Sequence, residues 1–131
     1  MEVFAPGLFN NETAIVTGGG TGIGRAVAIQ LARLGADIAI CGRRQPPLDN
    51  VKSEIESLGR ACLAQSCDIR DPDIISKFVA DVQETIGGCS VLINNAGGQF
   101  VTTAESLSPK GWNAVIRNNL NGTFFMTREV G

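Results

Sequence analysis

The sequence of 131 residues contains no histidine and no tyrosine. Without histidine there is no Ser-His-Asp or Cys-His relay and no histidine-ligated metal. Without tyrosine there is no phenolic acid for proton transfer. Charge is also in short supply. Eleven Lys and Arg stand against 13 Asp and Glu, a net charge of −2, which gives no electrostatic reason to expect nucleic acid or an anionic membrane surface. The sequence has neither a run of about 18 apolar residues nor a basic segment leading into an apolar one. It reads as a cytoplasmic protein.

What is present suffices for one packed domain. Hydrophobic residues make up 44% and charged residues 18%, with a mean hydropathy of +0.12, too apolar for disorder. The length suits a single domain spanning residues 1–131. The four cysteines, Cys41, Cys62, Cys67 and Cys89, form no CxxC pair and lie in strand-like surroundings, the pattern of buried, reduced thiols.

Short apolar runs alternate with helical spacing. Thr13–Thr17 (TAIVT) reads as a buried strand ending in glycines. From Gly22 the spacing is helical, with Val27, Leu31 and Leu34 on one stripe and Gly35 as the stop. Asp37–Cys41 is a second strand. Leu48, Val51, Ile55 and Leu58 then repeat at helical spacing after Pro46-Pro47, and Ala61–Ile69 holds a third strand. Asp71-Pro72 is a helix start followed by Ile75, Phe78, Val79, Val82 and Ile86. Val91–Asn94 makes a fourth strand and Gly97–Leu107 a loop. Ser108-Pro109 opens a last helix carrying Trp112, Val115, Ile116 and Leu120.

The order β-α-β-α-β-α-β-α predicts an α/β fold, a Rossmann-type parallel sheet with helices on both faces. In a six-stranded doubly wound sheet the fourth strand lies beside the first. Here it is expected at an edge, open to solvent and prone to aggregation. The pattern reads as the front part of a larger sheet, truncated after the helix that follows strand four.

The stretch most charged with chemistry is Thr17-Gly18-Gly19-Gly20-Thr21-Gly22-Ile23-Gly24, between the first strand and the first helix. Glycines there allow positive φ and close backbone approach to a pyrophosphate, and the helix start supplies free N–H groups. No frame matches GxGxxG. A P-loop phosphotransferase is disfavoured because Arg25 and Ala26 stand where Lys and Ser or Thr belong. The spacing that fits is TGxxxGIG.

That pattern resembles the glycine motif of the short-chain dehydrogenase/reductase family, and three further motifs follow in the family's order. Asp68-Ile69 resembles its adenine-contacting pair, Asn94-Asn95-Ala96-Gly97 its NNAG motif, and Asn119-Leu120-Asn121-Gly122 its NxxG segment. The resemblance covers essentially the whole chain. It implies a dinucleotide site built from Thr17, Gly18, Gly20, Thr21, Gly22, Ile23, Gly24, Asp68, Ile69, Asn95, Ala96 and Gly97, and a homo-oligomer in full-length form. One departure is Cys89-Ser90, where relatives carry an Asp that makes a structural hydrogen bond.

Cofactor choice turns on the end of the second strand, where an acid selects NAD and an Arg accommodates the 2′-phosphate of NADP. The residues there are Cys41-Gly42-Arg43-Arg44. Asp37 lies at the strand's other end, roughly 13 Å away, and reads as a turn residue. Arg43, supported by Arg44, is the expected phosphate ligand, since a guanidinium fork binds phosphate bidentately. The alternative is a solvated surface pair. NADP is expected, with NAD as the second choice.

In the family a Tyr, a Lys four residues later, an upstream Ser and a helical Asn carry the proton transfer. Only Asn119 maps here. The bland alternative for it is a helix-interior Asn capping a local bend. No Tyr precedes any Lys, so the chain is expected to bind a dinucleotide without turnover. The combination of Gly97-Gly98-Gln99-Phe100, Lys110-Gly111-Trp112 and the segment from Asn118 to Met126 resembles enoyl-CoA and 2,4-dienoyl-CoA reductases. It is also similar to citronellol-type dehydrogenases. A small-molecule substrate, apolar or an acyl-CoA, is implied, with Gly97-Gly98 leaving room and Phe100 forming a wall. The competing reading packs this loop on its own helix with Trp112 as core. A non-catalytic dinucleotide-binding or interaction module stands as the alternative function.

Overall fold

A computed structural model describes residues 3–131. Strand β1 (Thr13–Thr17) is buried along nearly its whole length, as its β-branched, apolar composition dictates. It leads through the glycine turn into α1 (Gly22–Arg33). Strand β2 (Asp37–Gly42), helix α2 (Gln45–Ser57) and strand β3 (Cys62–Ser66) follow. Helix α3 (Pro72–Ile86) begins where the Asp71 carboxylate accepts the N–H groups of Asp73 at 3.0 Å and Ile74 at 3.3 Å, with Pro72 in the first helical position. It buries Ile75, Phe78 and Val82 on one face.

Strand β4 (Val91–Ile93) is short. A 3-10 turn over Ala104–Ser106 interrupts the following loop, and α4 (Pro109–Ile116) starts with the Ser108 hydroxyl accepting the Gly111 N–H at 3.1 Å. The last helix is not uniform. A π-helical segment, Arg117–Asn121, separates α4 from α5 (Gly122–Val130).

All strand pairs are parallel, in the order β3-β2-β1-β4. Among the described residues β4 pairs with β1 alone, at the expected edge. The Ser90 hydroxyl accepts the Thr13 N–H at 3.2 Å and donates to the Thr13 carbonyl at 3.3 Å, so β4 is tied to β1 despite the departure at this position.

In-register residues of parallel strands share a face. Ala14, Val16, Ile38 and Ile40 pack with Leu48, Val51, Ile55 and α1 on one side, while Ile15, Ala39 and Cys41 pack with Ile75, Phe78, Val82 and Met126 on the other. Helices thus cover both faces. Cys41, Cys62 and Cys67 are buried, Cys89 is half-buried, and all four are free.

Trp112 does not fit the competing reading that made it core. It is 57% exposed, as are Phe124 at 57% and Leu120 at 62%, so it is not core. The π segment inserts one residue into the helical repeat and rotates everything after it by about 100°. A stripe drawn at constant 3.6 spacing therefore fails beyond Ile116, and the buried residues of this region are Gly111, Gly122 and Met126.

Candidate functional site

A cleft opens at the carboxyl ends of β1, β2 and β3, beside the switch point where the strand order reverses between β1 and β4. Ligands of doubly wound sheets bind there. Gly18, Gly20 and Thr21 form one wall, Arg43 and Arg44 stand at the rim, and Asp68, Ile69, Ala96 and Gly97 close the far side.

Several of the expected residues build the cleft without lining it. Thr17 is buried. Its hydroxyl accepts the N–H groups of Asn95 at 3.0 Å and Ala96 at 2.9 Å and donates to the Ile93 carbonyl at 3.4 Å. Asn95 turns inward, its amide donating to the Thr17 and Gly18 carbonyls at 3.0 and 3.4 Å. These two side chains stitch the end of β4 to the glycine turn across nearly 80 residues of chain. Gly24 lies under that stitch, where a Cβ would collide with the Gly18 carbonyl and the Asn95 amide. Gly22 faces open space at φ +53°, and Ile23 is 77% exposed.

The first turn of α1 carries no acidic side chain, so its free N–H groups and positive dipole end are left uncompensated for an anion. Arg25, near the P-loop lysine position, is committed elsewhere, to Glu54 at 2.6 Å. Asp37 also has partners of its own: Arg60 at 2.8 Å and the Ala61 N–H at 3.0 Å. Neither is a nucleotide ligand in this arrangement. Arg43 and Arg44 make no ion pair among the described residues and are exposed.

Asp68 receives the Arg70 guanidinium side-on, Nε at 2.9 and 3.1 Å from its two oxygens. That hydrogen-bonded pairing holds its carboxyl at about 2, with a smaller contribution from the charge of Arg43. Ile69 is buried against Gly122.

Asn119 does not line the cleft; its neighbour Asn118 does. The Asn119 amide donates to the Gly98 carbonyl at 2.6 Å and the Val115 carbonyl at 2.9 Å, and its oxygen accepts the Gly98 N–H at 3.2 Å. The bend read as an alternative is real, a π turn, and the same side chain also anchors the loop after β4.

Sequence reading missed Cys41, Gly42, Pro47, Leu48, Cys67 and Asn118 as lining. Pro47 and Leu48 were legible only as helix residues, and the two thiols only as core. A second, more apolar hollow lies beside Phe100, Val101, Leu107, Lys110 and Gly111. Phe100 borders it while remaining 57% exposed.

Residues 12–131 match the family described as short chain dehydrogenase. The chain belongs to that family. It is 41% identical over 128 residues to an uncharacterized oxidoreductase of Caenorhabditis elegans, covering 96% of this chain and 41% of that protein. To a peroxisomal 2,4-dienoyl-CoA reductase of Arabidopsis thaliana it is 37% identical over 123 residues, covering 94% of this chain and 41% of the relative. Among solved structures, a citronellol catabolism dehydrogenase of Pseudomonas aeruginosa superposes with a TM-score of 0.91 at 41% identity, over 98% of this chain and 53% of that one. The chain spans about half the length, or less, of the short-chain dehydrogenases it matches. No helix among the described residues is long and apolar enough to cross a membrane.

Proposed function

We propose that residues 1–131 form the NADP(H)-binding part of a short-chain oxidoreductase that moves a hydride to or from a carbonyl, alcohol or enoyl-thioester substrate. The observation that carries the cofactor choice is the pair Arg43 and Arg44, unpaired at the cleft rim, with no acid at the carboxyl end of β2. In this reading the glycine turn and the α1 start hold the pyrophosphate, the two arginines the 2′-phosphate, and Asp68 with Ile69 the adenine end. Ala96 and Gly97 close the opposite wall. Bound NADP(H) would supply the hydride. This chain's own residues orient the nucleotide and exclude water from its adenosine half. With no tyrosine in the sequence, turnover by these residues alone is not expected.

A lipid-like substrate is supported by what the relatives act on and by the apolar hollow beside Phe100. The second reading is a dinucleotide-binding module without chemistry. Calorimetric titration with NADPH and NADH tests the cofactor choice. NADPH should bind more tightly, and Arg43→Ala should weaken NADPH by about tenfold while leaving NADH unchanged. Equal or tighter NADH binding overturns it. Turnover of an acyl-CoA or terpenoid substrate once the reading frame is extended past Gly131, and its absence in the 131-residue chain, separates the two functions.

A further inference from the structure

Two thiols meet at the floor of the nucleotide cleft, and nothing in the proposed chemistry uses them. Cys41 and Cys67 both line the cleft, both are free, and they are 0% and 2% exposed. They belong to the same side of the sheet. Cys41 ends the apolar part of β2 opposite Gln65 of β3, and Cys67 is the next residue of that chain facing the same way. The Cys67 N–H donates to the Gly42 carbonyl at 2.9 Å, which draws the end of β3 across the end of β2. The proximity of the two thiols, together with burial, pushes Cys41 well above the usual thiol range and leaves Cys67 below it.

We propose that Cys41 and Cys67 are an oxidation site, a dithiol that hydrogen peroxide converts to an intramolecular disulfide, and that closing it weakens nucleotide binding. Cys67 is the attacking thiol. Its sulfur displaces water from the peroxide O–O bond and becomes a sulfenic acid. The Cys41 sulfur then displaces the sulfenic oxygen, which leaves as a second water with the Cys41 proton. Two thiols and one peroxide thus give one disulfide and two waters. The effect on binding follows from distance. Strands about 4.8 Å apart that rise about 3.3 Å per residue put diagonal neighbours on one face of a parallel pair roughly 8 Å apart at Cα, whereas a disulfide favours about 5.5–6 Å. Bridging therefore pulls Cys67 toward β2 and takes Asp68 and Ile69, the next two residues and part of the cleft wall, with it. Cys62 lies on the opposite face of the sheet, its thiol pushed up to about 12 by burial, and Cys89 precedes β4. They serve as internal references.

The effect on binding rests on the nucleotide reading above, whereas the oxidation site does not. The test treats the 131-residue chain with hydrogen peroxide, alkylates remaining thiols, and maps peptides without reduction by mass spectrometry. NADPH titrations are run before oxidation, after it, and after dithiothreitol. The expected product is a peptide joining Cys41 to Cys67, with Cys62 and Cys89 still alkylated. It should be absent in Cys41→Ala and Cys67→Ser, each checked for an unchanged circular dichroism spectrum. NADPH affinity should fall about tenfold on oxidation and recover on reduction, and saturating NADPH should slow the reaction. Oxidation of Cys62 or Cys89 at an equal rate, or no linked peptide in the folded wild type, overturns the site. A linked peptide with unchanged NADPH affinity overturns the coupling. A linked peptide in protein that never binds NADPH supports the site and overturns the nucleotide reading instead.

Discussion

Asn119 grips the backbone of Gly98 from both sides, donating to its carbonyl at 2.6 Å and accepting its N–H at 3.2 Å. One side chain in the π turn thereby fixes the loop that leaves β4, while its second donor hydrogen fills the widened turn at the Val115 carbonyl. Segments of π-helix inside α-helices tend to occur at functional positions. Here the widened turn brings Asn118 to the cleft and Asn119 to the loop.

Replacing Asn119 by Ala removes three hydrogen bonds at an exposed position. Net values of roughly 0.5–1.5 kcal/mol per bond, reduced by solvent competition, give a destabilisation of about 1–2 kcal/mol. Asn119→Asp should be no better, because its oxygens would face the Gly98 and Val115 carbonyls. Urea midpoints measure the stability loss, and amide exchange at Gly98 should accelerate in both variants. Slow exchange at Gly98 in Asn119→Ala would show that the loop is held by something else.

The glycine turn makes a prediction by contrast. At Gly24 an added Cβ meets the Gly18 carbonyl and the Asn95 amide, backbone and a braced side chain that have nowhere to go. Overpacking of this kind costs about 1–3 kcal/mol, so Gly24→Ala should lower the urea midpoint and nucleotide affinity together. Gly22 has open space around it but sits at φ +53°. Gly22→Ala should therefore carry only backbone strain of about 1–2 kcal/mol, and Gly22→Asn should recover part of it because Asn tolerates that conformation.

Much of this was legible in the residues themselves. The parallel sheet followed from alternating apolar runs and helical spacing, since both faces of each strand must be covered, and the place of β4 beside β1 followed from the doubly wound order. The rim arginines followed from their place after β2. Thr17 and Asn95 show what a linear reading misses. Each belongs to a motif that suggests a ligand contact, but their side chains are spent on bonds spanning nearly 80 residues, and no local pattern reveals that. Leu120 was misplaced for a different reason. Periodicity assumes a constant turn, and the π segment at Arg117–Asn121 breaks it.

Gln45 offers a way to disturb the arginines without touching them. Its amide nitrogen donates to the Ala64 carbonyl at 3.0 Å and to Asp49 at 2.7 Å, and its oxygen accepts the Ser66 N–H at 2.9 Å. The turn that carries Arg43 and Arg44 is thus pinned to β3 by the first residue of α2. Gln45→Leu should cost about 1–2 kcal/mol of stability and weaken NADPH several-fold more than NADH. Gln45→Glu keeps the acceptor for Ser66 while losing the donor, and should fall between the two. Equal loss for both nucleotides would mean that the brace supports the cleft generally and not the phosphate end.

Asp68 sets an acid limit. Its carboxyl is held at about 2 in the folded protein by the hydrogen-bonded Arg70, against an ordinary value of 3.8. A depressed folded value stabilises the fold above the unfolded value, and that stabilisation is lost as pH falls through the interval from about 4 to about 2. The full shift corresponds to about 2–3 kcal/mol. Both side chains are about one-third exposed, and screening by water reduces this to about 1 kcal/mol. Urea midpoints from pH 6 to pH 2 in wild type and Asp68→Asn provide the comparison, since other carboxylates titrate in both. The two curves should be separated above about pH 5 and converge toward pH 2. A separation that stays constant over the whole range would mean that Asp68 contributes shape and hydrogen bonds but no charge.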